Sequence, residues 1–127
     1  MQGYIEQNIP LDTQWVDIDY MQDYKDFTYN DKDFYGNSGK GAFTGLREFV
    51  DSLHQNNMKF VPIIDAGISQ RPGQNYSAYD EGIKQDIFLK LSNKALAGGK
   101  VWPNEAVYPD FLHPNASSYW GSQLDGF

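Results

Sequence analysis

Two short apolar runs, each closed by acids, flank a single helix-like stretch, and this arrangement restricts the chain more than any other feature. The first run is WVDIDYM at 15–21 and the second is KFVPIID at 59–65. Between them Phe43, Leu46, Phe49, Val50 and Leu53 recur at the spacing that puts apolar side chains on one face of a helix. Asn56 and Asn57 provide its stop. Strand, helix and strand in this order form a βαβ unit, in which the strands run parallel and the crossover is right-handed. The spacing predicts a first strand over 11–18, the helix up to the Asn56 and Asn57 pair, and a second strand over 59–65. Both strands then carry aspartate, Asp17 and Asp65, at the same end.

Asp17 and Asp19 raise a second question, because only Ile18 separates them. On a regular strand they would share the side of Trp15, with Val16 and Ile18 on the other. Two like charges side by side repel, so either the strand ends there with both acids solvated or one of them is held for a ligand. The rest of the chain alternates loops with short elements. Residues 1–8 read as a helix tail ended by Pro10. Residues 22–41 are a long loop with GNSGKG at 36–41 as its tip. Residues 66–77 are a second loop. A helix is expected within 78–91 around Ile83, Ile87, Phe88 and Leu91, a third strand over 100–102, and a helix from Pro114 onward with that proline in its first turn. The fold class expected from the pattern is α/β.

Composition removes several classes of function. The 127 residues are 40% hydrophobic, which suits one packed domain rather than disorder. A net charge of -7 and a pI near 4.5 oppose binding to phosphate backbones or anionic lipid, so neither nucleic acid nor a membrane is expected as partner. No run is long enough to span a bilayer, and MQGYIEQ has neither the basic start nor the apolar centre of a signal peptide. Without Cys there is no disulfide frame and no thiolate metal site. Aromatics at 16% suit either a filled core or a surface that stacks on sugar rings. Two Asn-x-Ser sequons, beginning at Asn75 and Asn115, could carry glycans in a secreted protein.

Three tempting motifs fail on their own chemistry. A phosphate-binding loop ending in Gly39 and Lys40 needs Gly where Phe34 stands and Ser or Thr where Gly41 stands. A calcium loop begun at Asp17 meets Met21 and Gln22 where an acid or amide and then glycine belong, and Thr28 where the closing glutamate belongs. Zinc would have only His54 and His113 to draw on, with no paired spacing between them, and His54 reads as a helix surface residue. No metal or cofactor is expected.

The segments IPLDTQWVDIDYM, KDFTYN, LREFVDSLH, KFVPIIDAGIS, GGKVWPNEAVYPDF and SSYWG then stand in a recognisable order. Together they closely resemble glycoside hydrolase family 31, the retaining α-glucosidases. The resemblance implies a (β/α)8 barrel with its site at the C-terminal ends of the strands, which is where the βαβ pattern puts Asp17 and Asp65. It implies that Asp17 hydrogen-bonds the hydroxyls of a bound glucose, that Ile18 and Ile68 line the pocket, and that Trp102 gives the sugar an apolar face. Asp19 is then expected to hydrogen-bond within the loop that follows, and strand alternation has ended by Ile18. Ala66, Asn104 and Tyr119 stand where the family more often has Pro, Gly and Trp.

The resemblance also implies what these residues lack. The family's nucleophile lies in a motif like WxDMNE, absent here, and the acid/base aspartate comes later still. Residues 1–127 are therefore expected to be the N-terminal part of a catalytic barrel, about three strands with their helices and long loops, ending before the nucleophile strand. Such a piece supplies one wall of the glucose subsite, holds no catalytic residue and needs the rest of the barrel as its partner. An α-glucoside or oligosaccharide is the expected substrate of the parent, with the secretory pathway, lysosome or extracellular space as its expected setting. The alternatives are a non-catalytic carbohydrate-binding or interaction module and a small complete α/β domain of unknown ligand, for instance a flavodoxin-like one.

Overall fold

A computed structural model describes residues 1–30 and 45–127. They divide into two compact units, Met1–Tyr20 with Asn30–Ile63 and Met21–Tyr29 with Ile64–Phe127.

The first unit contains the expected βαβ pattern. A short helix α1 (Gln2–Glu6) is ended by Asn8 at φ 54, a left-handed turn that Asn tolerates well. Strand β1 (Thr13–Val16) pairs in parallel with β2 (Lys59–Pro62), in a register running from Thr13 with Lys59 to Val16 with Pro62. Backbone bonds from Lys59 N–H to the Asp12 carbonyl and from Ile63 N–H to the Val16 carbonyl continue the pairing at both ends. Helix α2 (Leu46–Gln55) packs on β2. Leu53 is fully buried while Arg47, Glu48, Asp51 and His54 face out, so the stripe read from the sequence is the packed face. The helix stops where expected: Asn57 adopts φ 56 and Met58 N–H reaches back to the Leu53 carbonyl. Phe43 and the GNSGKG tip lie outside the described residues.

The second unit holds a small antiparallel sheet that periodicity did not reveal. Strands β3 (Ile68–Ser69) and β4 (Gly98–Gly99) flank β5 (Ala106–Val107), with helices α3 (Ser77–Lys84) and α4 (Ala116–Gly126) completing the unit. Ile68 and Gly98 both pair with Val107. The strand expected at 100–102 thus falls at 98–99, and Trp102 sits in the turn beyond it. The helix expected within 78–91 ends at Lys84, because Asp86 turns left-handed at φ 57. Ile87 and Phe88 then enter the core on extended chain, with Leu89 N–H bonded to the Tyr108 carbonyl. Ile83 and Leu91, which completed the apparent stripe, are exposed. Pro114 precedes α4 and its flanking Asn115 instead of lying in the first turn.

Aromatic packing fills this core. Ile68, Tyr76, Tyr79, Ile87, Phe88, Val107 and Tyr119 are all buried together. The Phe88 ring lies stacked against Tyr79 at 5.9 Å and edge-on to Tyr119 at 6.3 Å. Gly82 on α3 makes room for it, since a β-carbon there would stand 2.2 Å from the Phe88 ring. Ordinarily Gly→Ala inside a helix gains about 1 kcal/mol. Here Phe88 is held on two sides and cannot swing away, so overpacking of about 1–3 kcal/mol should outweigh that gain. Gly82→Ala is expected to lower the urea midpoint of the protein, and a midpoint at or above the parent value would show that the ring yields.

Candidate functional site

Asp17 follows β1 directly, and the chain leaves strand geometry at once. Residues Ile18–Tyr20 form a single 3₁₀ turn, so the alternation has ended by Ile18 as expected. The turn is pinned from its last residue: Tyr20 is fully buried and its hydroxyl donates to the Ile63 carbonyl at 2.8 Å. That anchorage leaves Asp17 and Asp19 exposed and Ile18 half-buried. One carboxylate oxygen of Asp17 accepts the Ile18 N–H at 2.8 Å, which orients the group and leaves further lone pairs facing solvent. Among the described residues Asp19 makes no hydrogen bond, and the loop it was expected to bond lies partly outside them.

Ile68 and Trp102 belong to the second unit and differ sharply in exposure. Trp102 is 61% exposed, an indole on a turn closed by the bond from Asn104 N–H to the Val101 carbonyl at 2.9 Å. Asn104 adopts φ 73, so it takes the left-handed conformation for which glycine is the easiest residue and Asn the next. Ile68 has no exposed surface and packs in the aromatic core. Its side chain therefore anchors the turn leading to β3 from within. Neither of two open clefts of about 200 and 240 Å³ is lined by any of the four residues.

Sequence reasoning missed Asp26 of KDFTYN, which is only 1% exposed. Its Oδ1 accepts the Asp65 N–H at 2.7 Å, and its backbone carbonyl accepts the Tyr76 hydroxyl at 3.0 Å. Burial pushes this carboxyl up to about 7; the bonds from the Asp65 amide and its own amide oppose the rise, and the Asp65 carboxylate adds to it. Burial also raises the Tyr119 phenol, with Asp26 contributing, and the Tyr119 hydroxyl donates to the Ala78 carbonyl at 2.6 Å. No sequence signal distinguishes this acid from its exposed neighbours, because burial is a property of the packed unit. Among the described residues no three His, Asp or Glu gather where one ion could bind.

A parallel strand pair joined by a helix, with an aspartate leaving the C-terminal end of the first strand, is the repeating unit from which β/α barrels are built. Residues 1–127 match the Glycosyl hydrolases family 31 TIM-barrel domain, and the chain belongs to that family. It is 42% identical over 125 residues to a probable alpha-glucosidase of Oryza sativa subsp. japonica, covering 98% of the chain and 13% of that protein. It is 40% identical over 126 residues to the intestinal sucrase-isomaltase of Oryctolagus cuniculus, covering 96% of the chain and 6% of that protein. Its fold matches the crystal structure of a glucosidase II alpha subunit in the Glc1Man2-bound form with a TM-score of 0.81 at 24% identity, over 99% of the chain and 13% of the other. The chain thus spans a small part of the length of its relatives. The flavodoxin-like alternative falls with the family assignment, and a stand-alone interaction module is not favoured.

The raised Asp26 carboxyl has a consequence for stability. The folded state keeps this proton to higher pH than the unfolded chain, whose Asp titrates near 3.8. The stabilisation is therefore complete below about 4 and is lost as pH rises through about 7. The neighbouring Tyr119 phenol, pushed further up by burial, stays neutral across that window. Asp26→Asn removes the titration, so relative to the variant the parent should lose roughly 2–4 kcal/mol between pH 4 and 8. Urea unfolding of both proteins at several pH values checks this, and parallel curves would contradict it.

Proposed function

We propose that the chain is the N-terminal part of the catalytic barrel of a retaining α-glucosidase, contributing one wall of the subsite that holds the terminal glucose. The observation that carries this reading is the family match over the whole chain, with 42% identity to a probable alpha-glucosidase. The position of Asp17 at the C-terminal end of a parallel strand supports it, since β/α barrels build their sites there.

In this reading Asp17 accepts hydrogen bonds from glucose hydroxyls, Ile18 and Trp102 present apolar surface to the ring, and Ile68 holds the turn behind the wall. Hydrolysis with retention proceeds by two displacements: a carboxylate attacks the anomeric carbon as a second carboxyl protonates the leaving oxygen, and water then releases the sugar. Neither of those two carboxyls lies in these 127 residues, so the remainder of the barrel is the partner on which activity depends. The substrate is an α-linked glucoside, oligosaccharide or glycan. The intestinal relative and the sequons at Asn75 and Asn115 support a route through the secretory pathway to a lysosomal or extracellular setting.

The test contrasts two neighbouring acids in the full-length protein acting on an aryl α-glucoside. Hydrogen bonds to a charged acceptor contribute about 1.5–3 kcal/mol, so Asp17→Ala should lower kcat/KM by roughly ten- to a hundredfold. Asp19→Ala should leave it within about threefold. The reverse pattern with both variants folded would assign the sugar ligand to Asp19, and no α-glucoside turnover by the parent would remove the reading altogether.

A further inference from the structure

The 21–29 segment is tied down from within and from two sides. The Thr28 hydroxyl donates to the Lys25 carbonyl at 2.6 Å and accepts the Gln22 N–H at 3.0 Å, knotting the loop. Asp23, Tyr24 and Phe27 all hold left-handed backbone, at φ 52, 57 and 58. For residues other than glycine that is strained, and it persists only where the surroundings fix it. The knot drives Asp26 inward, where its side chain takes the Asp65 amide and its carbonyl takes the Tyr76 hydroxyl. Lys25 beside it is 8% exposed, with its ammonium 5.8 Å from the centre of the Tyr76 ring and 3.7 Å from the Asp23 carboxylate.

Asp65 opens the turn that runs through Ala66 and Gly67 into β3. Gly67 is packed so tightly that a β-carbon on it would stand 2.9 Å from Val101 Cγ2. Val101 begins the turn that displays Trp102, and Gln70 N–H bonds the Glu105 carbonyl on that turn's far side. A displacement of the Asp65 turn therefore pushes on the base of the Trp102 turn.

We propose that Asp26 is a positioning residue: its carboxyl oxygen fixes the Asp65 amide, and through Gly67 and Val101 it holds Trp102 where the indole can face a bound sugar. Its role toward the sugar rests on the α-glucosidase reading, whereas its grip on Asp65 does not. A carboxyl that merely fills the core would act on the whole unit alike; a positioning residue acts on one amide and on substrate binding.

The experiment uses the full-length protein with Asp26→Ala, which removes the acceptor, and Asp26→Asn, which keeps one. In Asp26→Ala the Asp65 amide should exchange at least about tenfold faster while α3 amides keep parent protection. KM for an aryl α-glucoside should rise about tenfold with kcat within about threefold, the pattern of lost ground-state and transition-state binding together. Asp26→Asn should restore both readouts. An unchanged Asp65 amide in Asp26→Ala, equal loosening of α3, or an Asn variant as impaired as the Ala variant each overturns the proposal. Should Asp26→Ala not fold, Thr28→Val unties the loop and takes its place: faster Asp65 exchange supports the proposal and parent-like protection overturns it. If the parent turns over no α-glucoside, the functional reading falls, and the exchange measurement alone decides whether Asp26 holds Asp65.

Discussion

One hydrogen bond, from the Asp65 amide to the Asp26 carboxyl, joins segments 39 residues apart and organises the second unit. Without it, the left-handed turns at Asp23, Tyr24 and Phe27 would have no long-range anchor on the Asp65 turn. Burial of the acid opposes its charge, and two amide donors do not fully offset that, so near neutral pH the group sits between its two forms. A protonated aspartate offers one acceptor and one donor, the same pattern as asparagine. The Asp65 amide needs only the acceptor, which both forms supply. The link is therefore kept across the pH range while its energetic contribution changes.

The first unit depends on a different balance. β1 and β2 pair only with each other among the described residues, with α2 packed on β2. Trp15 and Val61 are partners in register, and both side chains are substantially exposed, at 51% and 40%. The alternating partners, Gln14 and Phe60 and then Val16 and Pro62, are half-buried. A two-stranded parallel pair is not stable on its own terms, and an apolar face of this kind is what further strands of a barrel would cover. The family to which the chain belongs has such a barrel, and the sheet shows one sector of it.

Legibility in the sequence followed element length. α2 was readable because Leu46, Phe49, Val50 and Leu53 repeat over several turns, and the parallel pair followed from what lay on either side of it. Strands β3, β4 and β5 have two residues each, too few for alternation to register. The helix expected within 78–91 exists but ends at Lys84; its apparent continuation arose because Ile83, Ile87 and Leu91 keep helical spacing across a left-handed bend at Asp86 that spacing cannot see. Of the residues proposed to hold the sugar, Asp17 and Trp102 are each exposed, whereas Ile68 is wholly inside. Apolar character predicts burial of a side chain but not whether it faces a core or a pocket.

Two of the three residues that differ from the family's commonest pattern, Asn104 and Tyr119, are accommodated in physical terms. Asn104, where glycine is frequent, adopts the left-handed φ of 73 and closes the turn beneath Trp102. Tyr119, where tryptophan is frequent, uses its hydroxyl to hold the Ala78 carbonyl, joining α4 to α3 at their buried faces. Trp120 beside it is gripped edge-on by Phe27 at 5.1 Å and by Phe111 at 5.3 Å. Phe27 follows Asp26 in the knotted loop, so the aromatic that meets α4 and the acid that meets the Asp65 turn are neighbours in the chain. The strained backbone at Phe27 is what lets consecutive residues reach in two directions. A strand would also send them to opposite sides, but along one line; the left-handed turn aims one at a helix and the other at a turn within the same packed unit.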